Sequence, residues 1–331
     1  MAVVLAGDIG GTKALLALAE IDGTGVKLLE EARFPSREYA GLAEIVAEFL
    51  ARVRTPVGAA CFGVPGAVLA GSCTTPNLPW VLTEGELAAA TGVPAVRLIN
   101  DFAAAAVGVL ATPPARLATL QQGEPAEHGT LAVLGAGTGL GEALLLWDGR
   151  RYRVHPTEGG HGGFAPEGEL QRELLAYLET SFTPVSVERV VSGPGLERIY
   201  RFLVGRGVQS SPEVARSMEH DDPGAVISGH ALARTDPACE QALDLFAAAF
   251  GAEAGNLALR ALATGGVFVA GGIAPKIVAK LQDGTFLRAF GRKGRMADLM
   301  AKVPLRVVLE ERTGLLGAAL EAAGLGDPSL T

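Results

Sequence analysis

Two glycine-rich turns are the residues in this sequence best suited to chemistry on a phosphate. The first is Gly7-Asp8-Ile9-Gly10-Gly11-Thr12-Lys13, and the second is Gly135-Ala136-Gly137-Thr138-Gly139-Leu140-Gly141. Each turn lies between two apolar segments that predict β-strands. Because glycine has no Cβ, the backbone N–H groups of such turns can approach phosphate oxygens closely. The repeated strand-turn-strand unit therefore favours ATP binding by two related domains over a pair of ordinary hairpin turns.

Two other common phosphate motifs are missing from the sequence. No Gly-x-x-x-x-Gly-Lys-Ser/Thr segment is present, and Leu140 stands where a dinucleotide-binding fingerprint requires its third glycine. Lys13 is the last residue of the first turn, where it is either a phosphate contact or an ordinary solvated lysine.

Asp101 is the strongest candidate for acid–base chemistry. It follows Asn100 at the junction between a predicted strand over residues 96–99 and a predicted helix over residues 102–110. Open α/β sheets place their functional groups at such junctions. An ordinary helix cap would also account for an Asp at this position. The two phosphate turns elsewhere in the chain favour the catalytic interpretation.

Three further segments are candidates for ligand contacts. Glu158-Gly159-Gly160-His161-Gly162-Gly163 places an acid and an imidazole among glycines, which suits either a polyhydroxylated ligand or a mobile surface loop. Glu188 precedes the helix break Ser192-Gly193-Pro194-Gly195 and, taken alone, is an ordinary helix carboxylate. Gly271-Gly272 ends a predicted buried strand and leaves backbone open to a base or ribose.

Composition restricts the class of protein. The chain has 331 residues, with 49% hydrophobic and 5% aromatic residues, which is typical of two α/β domains with aliphatic cores. The net charge of −8 and the absence of basic clusters argue against nucleic acid and anionic membranes as partners. Three scattered cysteines predict neither disulfides nor a thiolate metal site. The apolar segment 242–266 contains charged residues, which argue against a membrane span and favour a buried helix. The first predicted strand begins without a leader, and we therefore expect a cytoplasmic protein.

Hydrophobic periodicity predicts the order of elements. Helices are predicted over residues 42–53, 82–91, 186–191, 195–204 and 238–263, and strands over residues 26–34, 57–62 and 267–270. Residues 111–129 lack a clear period and are interpreted as the crossing between domains. A strand over residues 305–309 and a helix over residues 315–323 are expected to return to the first domain. The predicted domains are therefore residues 1–110 with 303–331, a small α/β domain, and residues 111–302, a large α+β domain.

Taken together, these motifs resemble the bacterial glucokinase family within the hexokinase, actin and Hsp70 ATPase superfamily. The resemblance extends over nearly the whole chain, and the order and spacing of its motifs make it highly specific. The segments that carry it are Gly7-Asp8-Ile9-Gly10-Gly11-Thr12, Ile99-Asn100-Asp101-Phe102, Gly135 to Gly141, Glu158-Gly159-Gly160-His161, Glu188 to Leu196, Val267 to Ile273 and Gly314-Leu315-Leu316-Gly317.

The resemblance implies a two-domain α/β protein with the actin-like ATPase (ribonuclease H-like) fold and an active site in the interdomain cleft. It implies transfer of phosphate from ATP to the 6-hydroxyl of D-glucose, with Asp101 as general base and Asp8 orienting Mg²⁺ through water. It also implies a homodimer. The sugar-binding residues implied are Asn100, Asp101, Glu158, His161 and Glu188. The residues implied for ATP are Asp8, Gly10, Gly11, Thr12, Lys13, Gly137, Thr138, Gly139, Gly271 and Gly272.

Two segments depart from related patterns. ROK sugar kinases and repressors usually carry a cysteine-rich zinc motif after the glycine-histidine segment. Here Gly162-Gly163-Phe164-Ala165-Pro166 stands at that position, so no zinc is expected. The segment Thr75-Pro76-Asn77-Leu78-Pro79-Trp80 resembles the family's sugar-proximal loop only loosely, which leaves the role of Asn77 open.

Other functions on the same scaffold remain alternatives. They are a kinase of another hexose or amino sugar, a non-catalytic sugar-sensing regulator and an actin-like ATP switch. A regulator is expected to carry a DNA-binding extension, whereas this chain begins at its first predicted strand. An ATP switch has no need of the polar set assigned to the sugar.

Overall fold

The structure, a computed structural model, describes residues 2–22 and 25–326. Its strands are β1 Ala2–Ile9, β2 Lys13–Asp22, β3 Gly25–Pro35, β4 Ala59–Val64, β5 Ser72–Thr74, β6 Val81–Thr83, β7 Ala95–Asn100, β8 Leu117–Gln121, β9 Leu131–Ala136, β10 Leu140–Trp147, β11 Tyr152–Thr157, β12 Gly266–Ala270 and β13 Leu305–Val308. Its α-helices are α1 Leu42–Val53, α2 Glu84–Thr91, α3 Asp101–Gly108, α4 Gly168–Glu179, α5 Gly193–Gly205, α6 Pro212–Ser217, α7 Pro223–Ala233, α8 Pro237–Ala261, α9 Val278–Leu281, α10 Thr285–Gly291, α11 Ala297–Met300 and α12 Thr313–Gly326.

The chain divides into two compact units. The first comprises Met1–Arg116, Leu145–Pro156 and Glu310–Thr331, as far as these residues are described, and the second comprises Leu117–Leu144 and Thr157–Leu309. The predicted domain bounds differ from these units at three places. Residues 111–116 and 145–156 group with the first unit, and residues 303–309 group with the second. We keep a two-domain chain as a prediction, with these three segments reassigned.

The first unit is built on a five-stranded sheet of order β3-β2-β1-β4-β7. Strand β1 is antiparallel to β2 and parallel to β4, which in turn is parallel to β7. Every residue of β4 is buried, which is typical of a central parallel strand covered on both faces. Helix α1 has the bounds that its period predicted, and it buries Leu42, Ile45, Val46 and Phe49 at helical spacing in the core with this sheet.

The other face of this sheet is covered by α12. Leu5 and Ile9 lie in the core with α1, whereas Val4 and Ala6 pack with Leu315 of α12, as the alternation of side chains along a strand requires. Helix α12 also packs against α3 with their backbones nearly in contact. A Cβ at Gly108 would lie 1.8 Å from the carbonyl oxygen of Thr313. The predicted helix over residues 315–323 therefore does return to the first unit.

The second unit contains a six-stranded sheet of order β11-β10-β9-β12-β13-β8. Strand β12 is parallel to both β9 and β13, and β8 is antiparallel to β13 at the edge. Two predictions were wrong here. The strand near residue 305 belongs to this sheet instead of the first domain, because it hydrogen bonds to β12. Residues 111–129 are not an irregular crossing throughout, because residues 117–121 form β8, a half-buried edge strand without the alternation that marks strands in a sequence.

Helix α8 forms the centre of the second unit's core. Among the described residues it is the one helix long and apolar enough to span a membrane, but 72% of its most apolar window is buried within the protein. The prediction of a buried helix in this region is confirmed. Gly251 and Gly255 face α10, where a Cβ on either would meet the carbonyl oxygen of Phe286 or Phe290 at 2.2 and 2.5 Å. Bare backbone on α8 thus permits the close approach of α10.

A buried carboxylate fixes the start of α8. Asp236 is 0% exposed and accepts hydrogen bonds from the backbone N–H of Cys239 at 2.9 Å, from that of Ser211 at 2.7 Å and from the hydroxyl of Ser210 at 2.8 Å. Burial by itself raises the pKa of Asp236, but the three donors outweigh burial, so that the pKa is lowered. The carboxylate therefore joins the N-terminus of α8 to the segment that begins α6.

We expect Asp236→Ala to lower the free energy of unfolding by about 2–4 kcal/mol, because it removes a helix cap and leaves buried donors without an acceptor. Asp222→Ala is the matched control. Asp222 caps α7 through one bond to Gly224 at 3.1 Å and is exposed, so its loss is expected to cost about 1 kcal/mol. Urea unfolding measures both. Equal losses for the two variants would contradict this account of Asp236.

Candidate active site

In the first unit, Asp8 and Asp101, the acidic residues predicted to belong to the site, lie at the carboxyl ends of parallel strands of one sheet. Asp8 of β1 is in register with Gly63 of β4, and the next residue of β4, Val64, is in register with Asn100 of β7. Asp101 begins α3 directly after β7. A Cβ on Gly63 would lie 3.5 Å from the Cα of Asp101, so glycine at this point allows the helix start to approach the sheet. The sheet thus brings Asp8, Asn100 and Asp101 to one edge.

The pKa of Asp8 depends on burial and on neighbouring charges. Burial and the negative charge of Asp101 raise its pKa to about 6, and Lys13 acts in the opposite direction. The carboxylate lies at the N-terminal end of α12, where a Cβ on Gly314 would be 2.9 Å from its Oδ2. Two carboxylates that repel each other at a sheet edge form a place where a cation is favoured.

The cap of α3 is Asn100, not Asp101. The side-chain oxygen of Asn100 accepts from the N–H groups of Phe102 at 3.0 Å and Ala103 at 3.1 Å, while its Nδ2 donates to the carbonyl of Gly66 at 3.1 Å. Asp101 Oδ1 accepts from Phe102 at 2.7 Å. The alternative in which Asp101 is merely the cap is therefore wrong. Asn100 orients the helix start, and one hydrogen of its amide is left for a ligand.

The first glycine turn is held by a serine that the sequence reasoning missed. The turn closes through a bond from the N–H of Gly10 to the carbonyl of Lys13 at 2.8 Å. Ser36, which is fully buried, donates its hydroxyl to the carbonyl of Gly10 at 2.8 Å and its N–H to that of Thr12 at 3.1 Å. Asn77 lies against this turn, since a Cβ on Gly11 would be 2.9 Å from the Asn77 Cβ. Thr12 and Lys13 are exposed.

The second glycine turn and Gly271-Gly272 lie at the same edge of the second unit's sheet. They follow β9 and β12, which pair in parallel up to Gly135 and Ala270. Gly271 has a φ of +81°, and a Cβ there would be 2.5 Å from the carbonyl oxygen of Ala136. In contrast, nothing lies within 4 Å of a Cβ position at Gly137 or Gly272. Space is therefore open beside Gly137 and Gly272, and Thr138 is exposed. Contact of these residues with a nucleotide stays a prediction.

Glu188 is bound to the second turn. Its Oε2 accepts from the N–H of Leu140 at 3.1 Å, and a Cβ on Gly139 would approach that oxygen to 2.5 Å. The predicted helix over residues 186–191 is only a 3-10 turn, Val187–Arg189, whose end is tied by a bond from the Ser192 hydroxyl to the Glu188 carbonyl at 2.7 Å. This turn sets Glu188 beside the residues expected to bind phosphate.

The segment with Glu158 and His161 presents its side chains to solvent. The two side chains are 73% and 63% exposed, and the His161 Nε2 lies 3.7 Å from the Glu158 Oε2. Their backbone is not loose, because residues 159–161 form a 3-10 turn in which Gly160 is buried. Within the second unit, Glu158 and His161 are thus exposed groups on a well-packed backbone. Among the residues that the structure describes, no group of three or more His, Cys, Asp and Glu side chains is placed to hold a metal ion, and the absence of zinc stays a prediction.

Solved structures give the class of protein. A glucokinase from an Antarctic psychrotroph aligns over 98% of this chain and 99% of its own, with 31% identity and a TM-score of 0.87. A ROK family glucokinase from Streptomyces griseus, solved with glucose and AMPPNP, covers 97% of this chain and 99% of its own with a TM-score of 0.66. At 23% identity, this second likeness concerns the fold alone. The chain has the actin-like ATPase fold of the sugar kinases.

Sequence comparison gives the family. The family model described as Glucokinase matches residues 5–324. The glucokinase of Nostoc sp. strain PCC 7120 is 43% identical over 342 aligned positions, which cover 98% of this chain and 100% of that protein. This chain belongs to the glucokinase family.

The contact between Gly139 and Glu188 predicts that a substitution of Gly139 affects the KM for glucose, in addition to any effect on ATP. In Gly139→Ala the new Cβ displaces the end of the Glu188 side chain and weakens its bond to Leu140, so the KM for glucose is expected to rise ~10-fold or more. Gly137→Ala is the matched control, because its Cβ meets no protein atom within 4 Å. It is expected to raise the KM for ATP and to leave that for glucose unchanged. Steady-state kinetics in both substrates measure this, and identical profiles for the two variants would contradict the role of Glu188.

Proposed function

We propose that this chain transfers the γ-phosphoryl group of ATP to the 6-hydroxyl of glucose, with Asp101 as the general base. Membership of the glucokinase family supports the reaction. The observation that carries the choice of base is the division of labour at the start of α3. Asn100 makes the capping bonds to Phe102 and Ala103, so the Asp101 carboxylate at the sheet edge is not needed as the cap.

Asp101 accepts the proton of the 6-hydroxyl as the hydroxyl oxygen attacks the γ-phosphorus. The bond between that phosphorus and the bridging oxygen breaks, and ADP leaves with the electron pair. Since phosphoryl transfer requires little covalent chemistry from the protein, the rate depends mainly on positioning and on stabilisation of charge.

Asp8 is proposed to orient Mg²⁺ through water. Burial and the negative charge of Asp101 raise the pKa of Asp8, and a cation near the carboxylate would oppose both effects. This supports a role for Asp8 beside a cation. When bound, Mg²⁺ supplies positive charge beside the phosphates. The two glycine turns provide the backbone for the phosphates, and Gly271-Gly272 that for the adenosine. The residues proposed for ATP are Asp8, Gly10, Gly11, Thr12, Lys13, Gly137, Thr138, Gly139, Gly271 and Gly272.

The remaining sugar hydroxyls are assigned to Asn100, Glu158, His161 and Glu188. Membership of the glucokinase family supports glucose and ATP as the substrates here. The side chains of Glu158 and His161 are exposed, and the hydroxyl groups of a sugar can donate hydrogen bonds to them and accept hydrogen bonds from them. A homodimer and a cytoplasmic location stay predictions.

Asp101→Asn tests the general base. The amide keeps the size of the side chain but cannot accept the proton, so kcat is expected to fall about 10²- to 10⁴-fold with the KM for glucose little changed. Asp148→Asn, a carboxylate on an exposed turn of the same unit, is the control and is expected to behave like wild type. A rate near wild type for Asp101→Asn, in conditions where chemistry limits turnover, would exclude Asp101 as the base.

A panel of sugars tests the substrate and the alternatives. Glucose is expected to have a higher kcat/KM than mannose, galactose and deoxyglucose, because a site that hydrogen bonds particular hydroxyls rejects ligands that leave its groups unpaired. Glu158→Gln and His161→Ala are expected to damage sugar use more than ATP use. ATP hydrolysis that needs no sugar would favour an ATP switch, and a better substrate among other hexoses or amino sugars would favour that kinase.

A further inference from the structure

A second buried carboxyl group lies directly below the segment that carries Glu158 and His161. Glu142, on β10, is 2% exposed. Both of its carboxyl oxygens are buried, and neither accepts a hydrogen bond in the part of the chain that the structure describes. A buried carboxylate in that position costs free energy, whereas a neutral carboxyl group does not carry the same cost. Glu142 is not among the residues proposed to bind ATP or glucose, so those roles do not explain a buried carboxyl group at this position.

The neighbouring charges determine which carboxyl group carries a proton. Glu253 on α8 pairs with Arg260, with 3.0 Å between Glu253 Oε1 and Arg260 Nη1, and accepts from Asn256 at 3.1 Å. Lys293 also acts on Glu253 and donates to Asn256 at 2.8 Å. Glu253 therefore lies beside a cation and accepts a hydrogen bond at Oε2, whereas its buried Oε1 accepts none. Glu142 accepts none at either oxygen, and as a neutral acid it can donate its proton to Glu253, which lies within hydrogen-bonding reach.

The physical causes agree with this assignment. Burial, followed by the negative charge of Glu253, raises the pKa of Glu142 to about 8, and Arg260 opposes the rise. The other titratable groups on elements that face it are Lys293 behind Glu253, and Glu158 and His161 on the segment above. Near neutral pH, Glu142 is therefore protonated.

The segment above rests on Glu142. A Cβ on Gly159 would lie 2.1 Å from the Glu142 Oε2 and 2.9 Å from its Cδ. The Thr157 hydroxyl donates to the Glu142 carbonyl at 3.0 Å and accepts from the N–H of Gly159 at 3.2 Å. Next in the segment, a Cβ on Gly160 would meet the carbonyl oxygen of Leu140 at 2.1 Å. The backbone between Thr157 and His161 thus takes its position from residues 140–142.

We propose that Glu142, as a neutral acid bonded to Glu253, is a positioning residue that holds the Glu158–His161 segment in the conformation that binds glucose. The inference rests on the proposed assignment of Glu158 and His161 to the sugar. Ionisation places a second negative charge beside Glu253 with no donor to receive it. The side chain or the segment then moves, and binding of glucose is weakened while the groups assigned to ATP are unaffected.

The test compares Glu142→Gln and Glu142→Ala with wild type across about pH 6 to 9, in both substrates. In wild type, the KM for glucose is expected to rise as the pH passes through about 8, the pKa of Glu142, with the KM for ATP unchanged. Glu142→Gln is expected to keep the neutral KM and to lose the alkaline rise, because the amide donates to Glu253 but does not ionise. Glu142→Ala is expected to raise the KM for glucose about 10-fold at every pH, because the support below Gly159 is gone.

Stability supplies an independent readout with a definite sign. The pKa of Glu142 is higher in the folded chain than its ordinary value of 4.5, so the folded state binds the proton more tightly. The free energy of unfolding therefore falls as the pH rises from 4.5 to about 8, and the fall ends above that range. Glu142→Gln is expected to remove this part of the pH dependence. Glu321→Gln, a buried carboxyl group paired with Arg97 in the first unit, is the matched control and is expected to keep it.

A double-mutant cycle with Gly159→Ala tests the contact itself. The added Cβ displaces the segment in wild type, but in Glu142→Ala it enters space left by the carboxyl group, so its effect on the KM for glucose is expected to be smaller there. An alkaline rise that persists in Glu142→Gln, or additive effects in the cycle, would overturn the proposal. Glu158→Gln and His161→Ala variants with unchanged glucose kinetics would instead overturn the assignment of the sugar, while the pH dependence of stability would still report the proton on Glu142.

Discussion

Three carboxyl groups in this chain lie against glycines, and the geometry of the candidate site depends on these contacts. Asp8 faces Gly314, Glu188 faces Gly139 and Glu142 faces Gly159, so closely that a Cβ on any of these glycines would displace the carboxyl group or the backbone. The chain thereby places charged groups against backbone without opening space for bulk water. The interaction energy between neighbouring charges is therefore larger than in water, since the attraction or repulsion of two charges grows as water is excluded.

The two units use this condition to different ends. In the first, burial and the negative charge of Asp101 raise the pKa of Asp8. In the second, burial and the negative charge of Glu253 raise the pKa of Glu142, and Arg260 opposes the rise. The arrangement proposed for the first pair is a cation beside Asp8, and the one proposed for the second is a proton donated by Glu142 to Glu253.

The sequence allowed most of the local features to be predicted, because these depend on neighbouring residues. The glycine turns, the limits of α1 and the position of Asp101 after a strand all follow from short patterns. Features set by distant pairing were missed. Nothing near residue 305 indicates that its strand pairs with β12, and nothing near Ser36 points to Gly10. A single Glu in an apolar strand gives the same signal whether it is exposed or, like Glu142, buried beside Glu253. The capping role of Asn100, in contrast, can be read from its place before a helix, although Asp101 alone was considered as a cap, as the alternative to its catalytic role.

The close contact of α12 with α3 and the first sheet has a consequence for biosynthesis. Leu315 and its neighbours complete the core on one face of β1, yet they lie more than 200 positions beyond α3 in the chain. The ribosome therefore releases the last part of that core more than 200 residues after α3. Until then, Val4, Ala6 and Cys61 present an uncovered apolar surface. Since such surfaces expose nascent chains to aggregation, the first sheet depends on residues that are made long after it, and a ribosome stalled before α12 leaves a chain that is a substrate for chaperones.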